Sequence, residues 1–332
     1  MKFIIYSIII LFLIFNTACS KRDNRISNNV IVKLQDSIKL NNFFISKKKA
    51  EVFVRNKYLY FSNQELNQIN SLNIKTKKIT TFGNKGKGPG EFNSITSIYY
   101  DNKNDNICIY DAQLRRITYF DKNNKLIKIE KIDKLFKSDY IKSHILDITK
   151  IHNKYYLMGK KLFLKNKEMI DTITEIDANK HAKFIVRRNR KVEANNNLGL
   201  VEFAIRNFLR FDFNTNTLFI LDNADKNFSV LSYNIDTGKK DEIAINQNSL
   251  QTENYKYVRK IFAGSDFFIL EIIAPDDLKI YEFYNLSGKF LKKLVMENEL
   301  SFIGEVNNDS LYVFEYNEKV DIHYCNIYKL GN

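Results

Sequence analysis

A run of four or five aromatic and aliphatic residues, most often closed by an acid, recurs along this 332-residue chain. It stands at Leu59–Ser62, Ile107–Asp111, Tyr155–Gly159, Leu218–Asp222, Phe267–Glu271 and Leu311–Glu315. Successive runs start 48, 48, 63, 49 and 44 residues apart. A period of that length belongs to architectures whose repeats are single supersecondary units, each burying its faces only against its neighbours. Phe, Tyr and Ile dominate the runs, and these side chains suit a pleated, half-buried surface.

Around each run the same grammar returns. An apolar segment precedes it at Ile95–Tyr100, Ile145–Ile151, Phe208–Phe213, Val258–Phe262 and Phe302–Val306. A further strand follows at Ile69–Ile74, Ile117–Phe120, Phe228–Asn234, Lys279–Asn285 and Val320–Tyr328. Several units then show a turn and one more strand: Asp121–Asn124 before Lys125–Ile129, Asp236–Gly238 before Glu242–Ile245, and Leu286–Gly288 before Lys289–Val295. Asn, Asp and Gly tolerate positive φ at low cost, so such clusters are hairpin turns. With four strands per unit, six units and no sustained helical period, the chain is expected to be all-β, a six-bladed β-propeller of four-stranded blades.

The two chain ends complete this reading. Glu51–Val54 supplies a leading strand for the first unit, and the last unit ends at Leu330 without a fourth strand. Val30–Leu34 fills that gap, so an N-terminal strand closes the ring and leaves few exposed edges. The long third spacing leaves about 15 extra residues around Arg187–Asn207, expected to be an insertion on one face with a short helix in Leu200–Leu209.

The first residues give an address. Met1-Lys2 is a short positive start, Phe3–Phe15 is an uncharged apolar run, and Asn16-Thr17-Ala18-Cys19 follows. The run is too short for a transmembrane helix and suits the apolar region of a signal peptide. Small residues before a Cys resemble a bacterial lipobox, although Asn16 stands where Leu is usual. The expected organisation is a lipoprotein signal peptide over 1–18, a lipidated tether over 19–29 attached to the membrane through Cys19, and the propeller over 30–332. Of the other cysteines, Cys108 and Cys325 both lie in alternating apolar runs and read as separate buried thiols. The formal charge of +14 points toward acidic partners, but the lysines are spread evenly with no dense basic run, which argues against a nucleic-acid footprint.

Gly86-Lys87-Gly88-Pro89-Gly90-Glu91-Phe92, then Ile107–Asp111, Arg116-Ile117 and Phe120-Asp121, resembles the NHL-repeat propellers. More narrowly, it is similar to the six-bladed β-propeller lipoproteins common in Bacteroidetes. The likeness is strong over Tyr58–Ile132, and later units share only spacing and strand grammar. It implies the fold and a cell-envelope location far better than an activity. It also implies a structural role for the Asp111 and Arg116 pair. In that phylum, Ser20-Lys21-Arg22 after the Cys, in place of acids, implies the periplasmic side of the outer membrane.

Candidate chemistry is sparse. Gly86–Gly90 lacks the Gly-Lys-Ser/Thr end of a phosphate loop, so Gly86, Gly88, Pro89, Gly90, Glu91 and Phe92 read as a turn between blades, with Phe92 as a wedge. The histidines His144, His152, His181 and His323 show no ligand spacing with one another. His144 with Asp147 starts an innermost strand, at a channel mouth. Arg206, Arg210, Tyr257 and Arg259 could line a pocket there, as aromatic and Arg side chains do at binding centres. No cofactor is implied. The expected function is a non-catalytic binding or scaffolding module for an envelope protein or small ligand. The alternatives are a lyase- or lactonase-like propeller enzyme with a metal at the channel mouth, and a glycan- or peptide-binding accessory of a nutrient importer.

Overall fold

The computed structural model describes residues 31–40, 51–63, 65–136, 144–163, 168–191, 210–214, 216–222, 229–245, 257–274, 277–296, 301–307, 310–320 and 322–331. Six four-stranded antiparallel sheets form a six-bladed β-propeller. The N-terminal strand β1 (Ile31–Leu40) precedes blade 1, which is β2 (Val52–Arg55), β3 (Tyr58–Asn63), β4 (Gln68–Asn73) and β5 (Ile79–Phe82). A short parallel pair, β6 (Asn84–Lys85) and β7 (Glu91–Phe92), frames the Gly-rich turn. Blade 2 is β8 (Ile95–Asp101), β9 (Asn106–Asp111), β10 (Arg116–Phe120) and β11 (Leu126–Lys131), followed by one helical turn, α1 (Ile132–Leu135). Blade 3 holds β12 (His144–Ile151), β13 (Lys154–Phe163), β14 (Glu168–Ile176) and β15 (Ala182–Lys191). Blade 4 holds β16 (Arg210–Asn214), β17 (Thr217–Asp222), β18 (Ser229–Asn234) and β19 (Lys240–Ala244). Blade 5 holds β20 (Tyr257–Ala263), β21 (Phe267–Ile273), β22 (Lys279–Asn285) and β23 (Phe290–Met296). Blade 6 takes β24 (Phe302–Asn307), β25 (Ser310–Asn317) and β26 (Ile322–Gly331), with β1 as its fourth strand.

That last pairing closes the ring. β1 runs antiparallel to β26 from Ile31 opposite Gly331 to Leu40 opposite His323, longer than Val30–Leu34 alone would give. The Ser37 hydroxyl donates to Asn326 Oδ1 at 2.6 Å, and Lys77 of blade 1 meets Asp36 at 2.7 Å. The core is not one body but clusters of buried side chains, each shared by two consecutive blades: 1 with 2, 2 with 3, 3 with 4, 4 with 5, 5 with 6, and 6 with 1. This is the packing that the repeat spacing demands. Cys108 lies in the cluster of blades 2 and 3 and Cys325 in that of blades 6 and 1, so both are free and buried. Burial pushes both thiols up, Cys325 to about 12.

Blade 3 differs from expectation. Arg187–Lys191 belongs to β15, so that stretch is strand and not insertion. Strands β13, β14 and β15 span 10, 9 and 10 residues, and these longer hairpins absorb much of the extra spacing. The remainder, with the expected helix in Leu200–Leu209, lies outside the described residues.

Strand direction sorts the connections. In blades 1 to 5 the hairpin between first and second strands and the turn between third and fourth open at one end of the ring. In blade 6, where no turn joins β26 to β1, the first hairpin opens at that end. β1 begins at that same end, the entry end, because Ile31 faces Gly331. The other turns and the Gly-rich connection lie at the opposite end. Lys150 of blade 3 and Asp101 of blade 2, 2.6 Å apart, join two hairpins at the entry end.

Candidate functional site

The Gly-rich turn is a joint. Phe92 is fully buried and packs on Phe120, their ring centroids 6.2 Å apart, within the cluster that blades 1 and 2 share. Gly83, at φ 76°, lies so close that a Cβ there would sit 2.6 Å from the Phe92 ring. Gly90 is left-handed at φ 74°, beside Pro89, and the Glu91 carboxylate accepts the Gly88 N–H at 2.6 Å. Arg116 does not pair with Asp111, which faces it across the ladder. Its guanidinium donates to the carbonyls of Lys87 (3.0 Å), Gly88 (2.7 Å) and Glu91 (2.6 Å). Asp111 accepts the N–H groups of Asn93 (2.6 Å) and Leu114 (2.8 Å). With its carbonyls turned onto Arg116, the loop is no anion cradle.

The site with convergent charge is the wall of the central channel, formed by the first strand of each blade. Four of these strands carry a register shift near their start: Ile95/Ser97, Ile145/Asp147, Val258/Lys260 and Ile303/Glu305. Each shift has the same local sequence, a buried aliphatic, one bulged residue, a polar residue and another buried aliphatic. The instances are Ile95–Ile98, Ile145–Ile148, Val258–Ile261 and Ile303–Val306. A bulge twists the strand and re-aims the residue that follows it. Ser97, Asp147, Lys260 and Glu305 thereby occupy equivalent places in blades 2, 3, 5 and 6.

Their partners run around and across the channel. Asp147 Oδ1 accepts the Ser97 hydroxyl at 2.5 Å and the Ile148 N–H at 2.8 Å. Asp212 of blade 4 accepts the Ala263 N–H of blade 5 at 3.0 Å. Glu305 accepts the Val306 N–H at 3.0 Å. Burial, then repulsion from Asp212 and, less strongly, from Glu51, push the Glu305 carboxyl up to about 8, with Lys260 opposing. Among the described residues the first strands carry charges of both signs, Asp147, Asp212 and Glu305 together with Arg55, Lys150, Arg259 and Lys260, and Glu51 immediately precedes the first of them. Among the described residues, no three of His, Cys, Asp and Glu come together as metal ligands.

Of the residues singled out in the sequence, Asp147 belongs to this wall. His144 is the exposed first residue of β12. Arg259 is the bulged residue of β20 and is engaged with the scaffold: its guanidinium meets the buried Glu271 at 2.9 and 2.7 Å. Tyr281 donates to the same carboxylate at 2.8 Å and accepts the Ile303 N–H of blade 6 at 3.1 Å. Arg210 faces Leu221 in the β16–β17 ladder, and Tyr257 faces Ile273 in β20–β21. Arg206 and Cys19 lie outside the described residues. Sequence reasoning missed Glu51, Asp212, Lys260 and Glu305. The aliphatic-x-polar-aliphatic quartet upstream of the marker runs could have found Lys260 and Glu305, although the bulge that gives it meaning has no sequence period of its own. A groove of about 480 Å³ between blades 4 and 5, lined by Phe219, Ser232, Glu242, Ser265 and Leu286 among others, gathers no comparable charge.

Six inter-packed four-stranded blades around a channel define a six-bladed β-propeller. Comparison with solved structures agrees with the fold. A member of the DUF4221 family from Bacteroides vulgatus is 13% identical, with a TM-score of 0.60, covering 92% of this chain and 99% of that one. A candidate exported protein from Bacteroides fragilis is 10% identical, with a TM-score of 0.55, covering 91% and 96%. A catalytically inactive virginiamycin B lyase from Staphylococcus aureus, solved with quinupristin, is 11% identical, with a TM-score of 0.53, covering 91% and 100%. At these identities the likeness is one of fold. No family model matches the chain, and no curated protein matches it in sequence.

Proposed function

We propose that this chain is a lipid-anchored cell-envelope propeller, on the periplasmic side of the outer membrane, that binds a protein or small ligand at its channel. The observation that carries the reading is the shared bulge that gives Ser97, Asp147, Lys260 and Glu305 equivalent places on the channel strands of blades 2, 3, 5 and 6. A few polar groups converging on a concave site suit recognition of a polar ligand. Asp147 and Arg259 are already held by Ser97 and Glu271, which suits recognition better than turnover. The Cys19 leader and the likeness to a candidate exported protein support the envelope location.

The test is a crosslinked pull-down of the full chain from its own membranes, with Asp212→Asn/Glu305→Gln and Cys19→Ala chains in parallel. One dominant partner, lost with the two channel carboxylates, is the expected result. A partner retained by the channel variant would sink the channel reading, and equal membrane retention of the Cys19→Ala chain would sink the anchor.

A further inference from the structure

We propose that the entry end of the ring docks on an anionic phospholipid surface, its turn lysines against the headgroups. The proposal rests on the lipid-anchored reading above.

Five described turns between third and fourth strands share one build. Asn73, Asp121, Asp177, Asn234 and Asn285 each accept backbone N–H groups of their own turn through the side chain. The chain then reverses through a left-handed residue: Lys77, Asn124, Lys180, Gly238 and Gly288, at φ 57°, 63°, 67°, 71° and 81°. The next residue is Lys78, Lys125, His181, Lys239 or Lys289, every one exposed. The turn needs its side-chain acceptor and its left-handed residue. Nothing in that chemistry requires a lysine at the following position, yet one stands there in four of the five turns and His181 in the fifth. Exposed Lys75 and Lys122 lie in the same turns, and Lys33 faces Lys329 where β1 begins and β26 ends.

Fewer acids stand among them. Of the described residues, Asp105, Asp236, Asp266 and Glu242 are exposed at or near this end and Asp121 and Asp177 lie in the turns themselves, while Lys77 and Asp36 at 2.7 Å and Lys239 and Asp241 at 2.9 Å offset one another. Among the described residues of the opposite end both signs occur, with Glu65, Asp133, Asp277 and Glu318 beside Lys85, Lys87, Arg115, Lys134 and Lys319. Apolar side chains are interleaved with the entry-end lysines. Leu126 (40% exposed) and Ile127 (49%) follow Lys125, Leu34 (50%) follows Lys33, and Leu286 (41%) tops the blade 5 turn. Basic groups alternating with exposed aliphatics suit a headgroup boundary better than bulk water.

The course of the chain selects lipid over other acidic surfaces. The sequence before β1 carries Cys19, and the tether over 19–29 reaches at most about 40 Å when extended. The membrane that Cys19 enters is therefore held close to this end at high effective concentration. Each lysine brought to an anionic surface strengthens binding by about fivefold, less as salt rises.

The test takes the full chain from its own membranes into vesicles of phosphatidylethanolamine with phosphatidylglycerol, or of phosphatidylcholine alone. Lysine acylation is then read by mass spectrometry. Lys75, Lys125, Lys239 and Lys289 are expected to react at least about tenfold more slowly on the anionic vesicles, and to regain their rate in about 1 M salt. Lys85, Lys87 and Lys319 should react alike on both. A chain with Lys75→Glu, Lys125→Glu, Lys239→Glu and Lys289→Glu should remain on the vesicles while Lys78 and Lys122 lose their protection. Equal acylation of the two ends on anionic vesicles overturns the proposal. So does protection present in native membranes and missing on both vesicles, which would identify an acidic protein instead. The mass of the N-terminal peptide reports acylation of Cys19 separately, so failure of the anchor and failure of docking are told apart.

Discussion

Arg116 illustrates how one side chain fixes a joint between blades. Its planar fork reaches three carbonyls of a turn that two backbone hydrogen bonds, Gly86 N–H to Phe92 and Glu91 N–H to Gly88, also close. Arg116→Ala is expected to cost about 1.5–3 kcal/mol, read by urea denaturation, as hydrogen bonds to a charged donor do. Arg116→Lys should recover little of this, because a single ammonium cannot match the fork. Glu305 makes the complementary case in the channel. Its folded-state carboxyl is raised, so the folded protein keeps a proton that the unfolded chain releases. Stability then falls as pH rises from the ordinary 4.5 to about 8 and levels beyond. Glu305→Gln removes that dependence: the variant should match the wild type at low pH and exceed it increasingly across that window. Parallel pH-dependent denaturation would show it, and parallel curves for the two chains would exclude a raised carboxyl.

Among the elements, β1 carries the greatest consequence for its length. Ile38, 2% exposed and opposite Cys325, sits in the cluster that blades 6 and 1 share. Truncating it leaves a cavity in that shared cluster. Ile38→Ala is expected to cost about 2–5 kcal/mol and to lower the thermal midpoint of the whole propeller. If only a local signal changed, β1 would be an appendage and not a closing strand. The elements were also the most legible level of the sequence. Period-two aromatic runs and Asn/Asp turns marked the strands because burial and positive φ each leave a compositional trace. Blade 3 resisted because long hairpins look like insertion when only spacing is read. The channel wall was legible at Asp147 alone. Glu51, Asp212, Lys260 and Glu305 gain their meaning from register shifts and from neighbours one or two blades away, which no local window contains.

For the whole molecule, the two ends of the ring differ in charge as they differ in connection type. Lysines that the sequence presents as evenly spread, within a net charge of +14, come together in the described turns of the entry end once the strands alternate direction. The pairing of β1 with β26 also has a bearing on time. Of the described strands, the one that completes the last blade is made first and its neighbour last. Until Ile322–Gly331 has been made, β1 has an unpaired edge and the ring stays open. Closure therefore waits for β26, and no earlier portion of the propeller can complete the sixth blade.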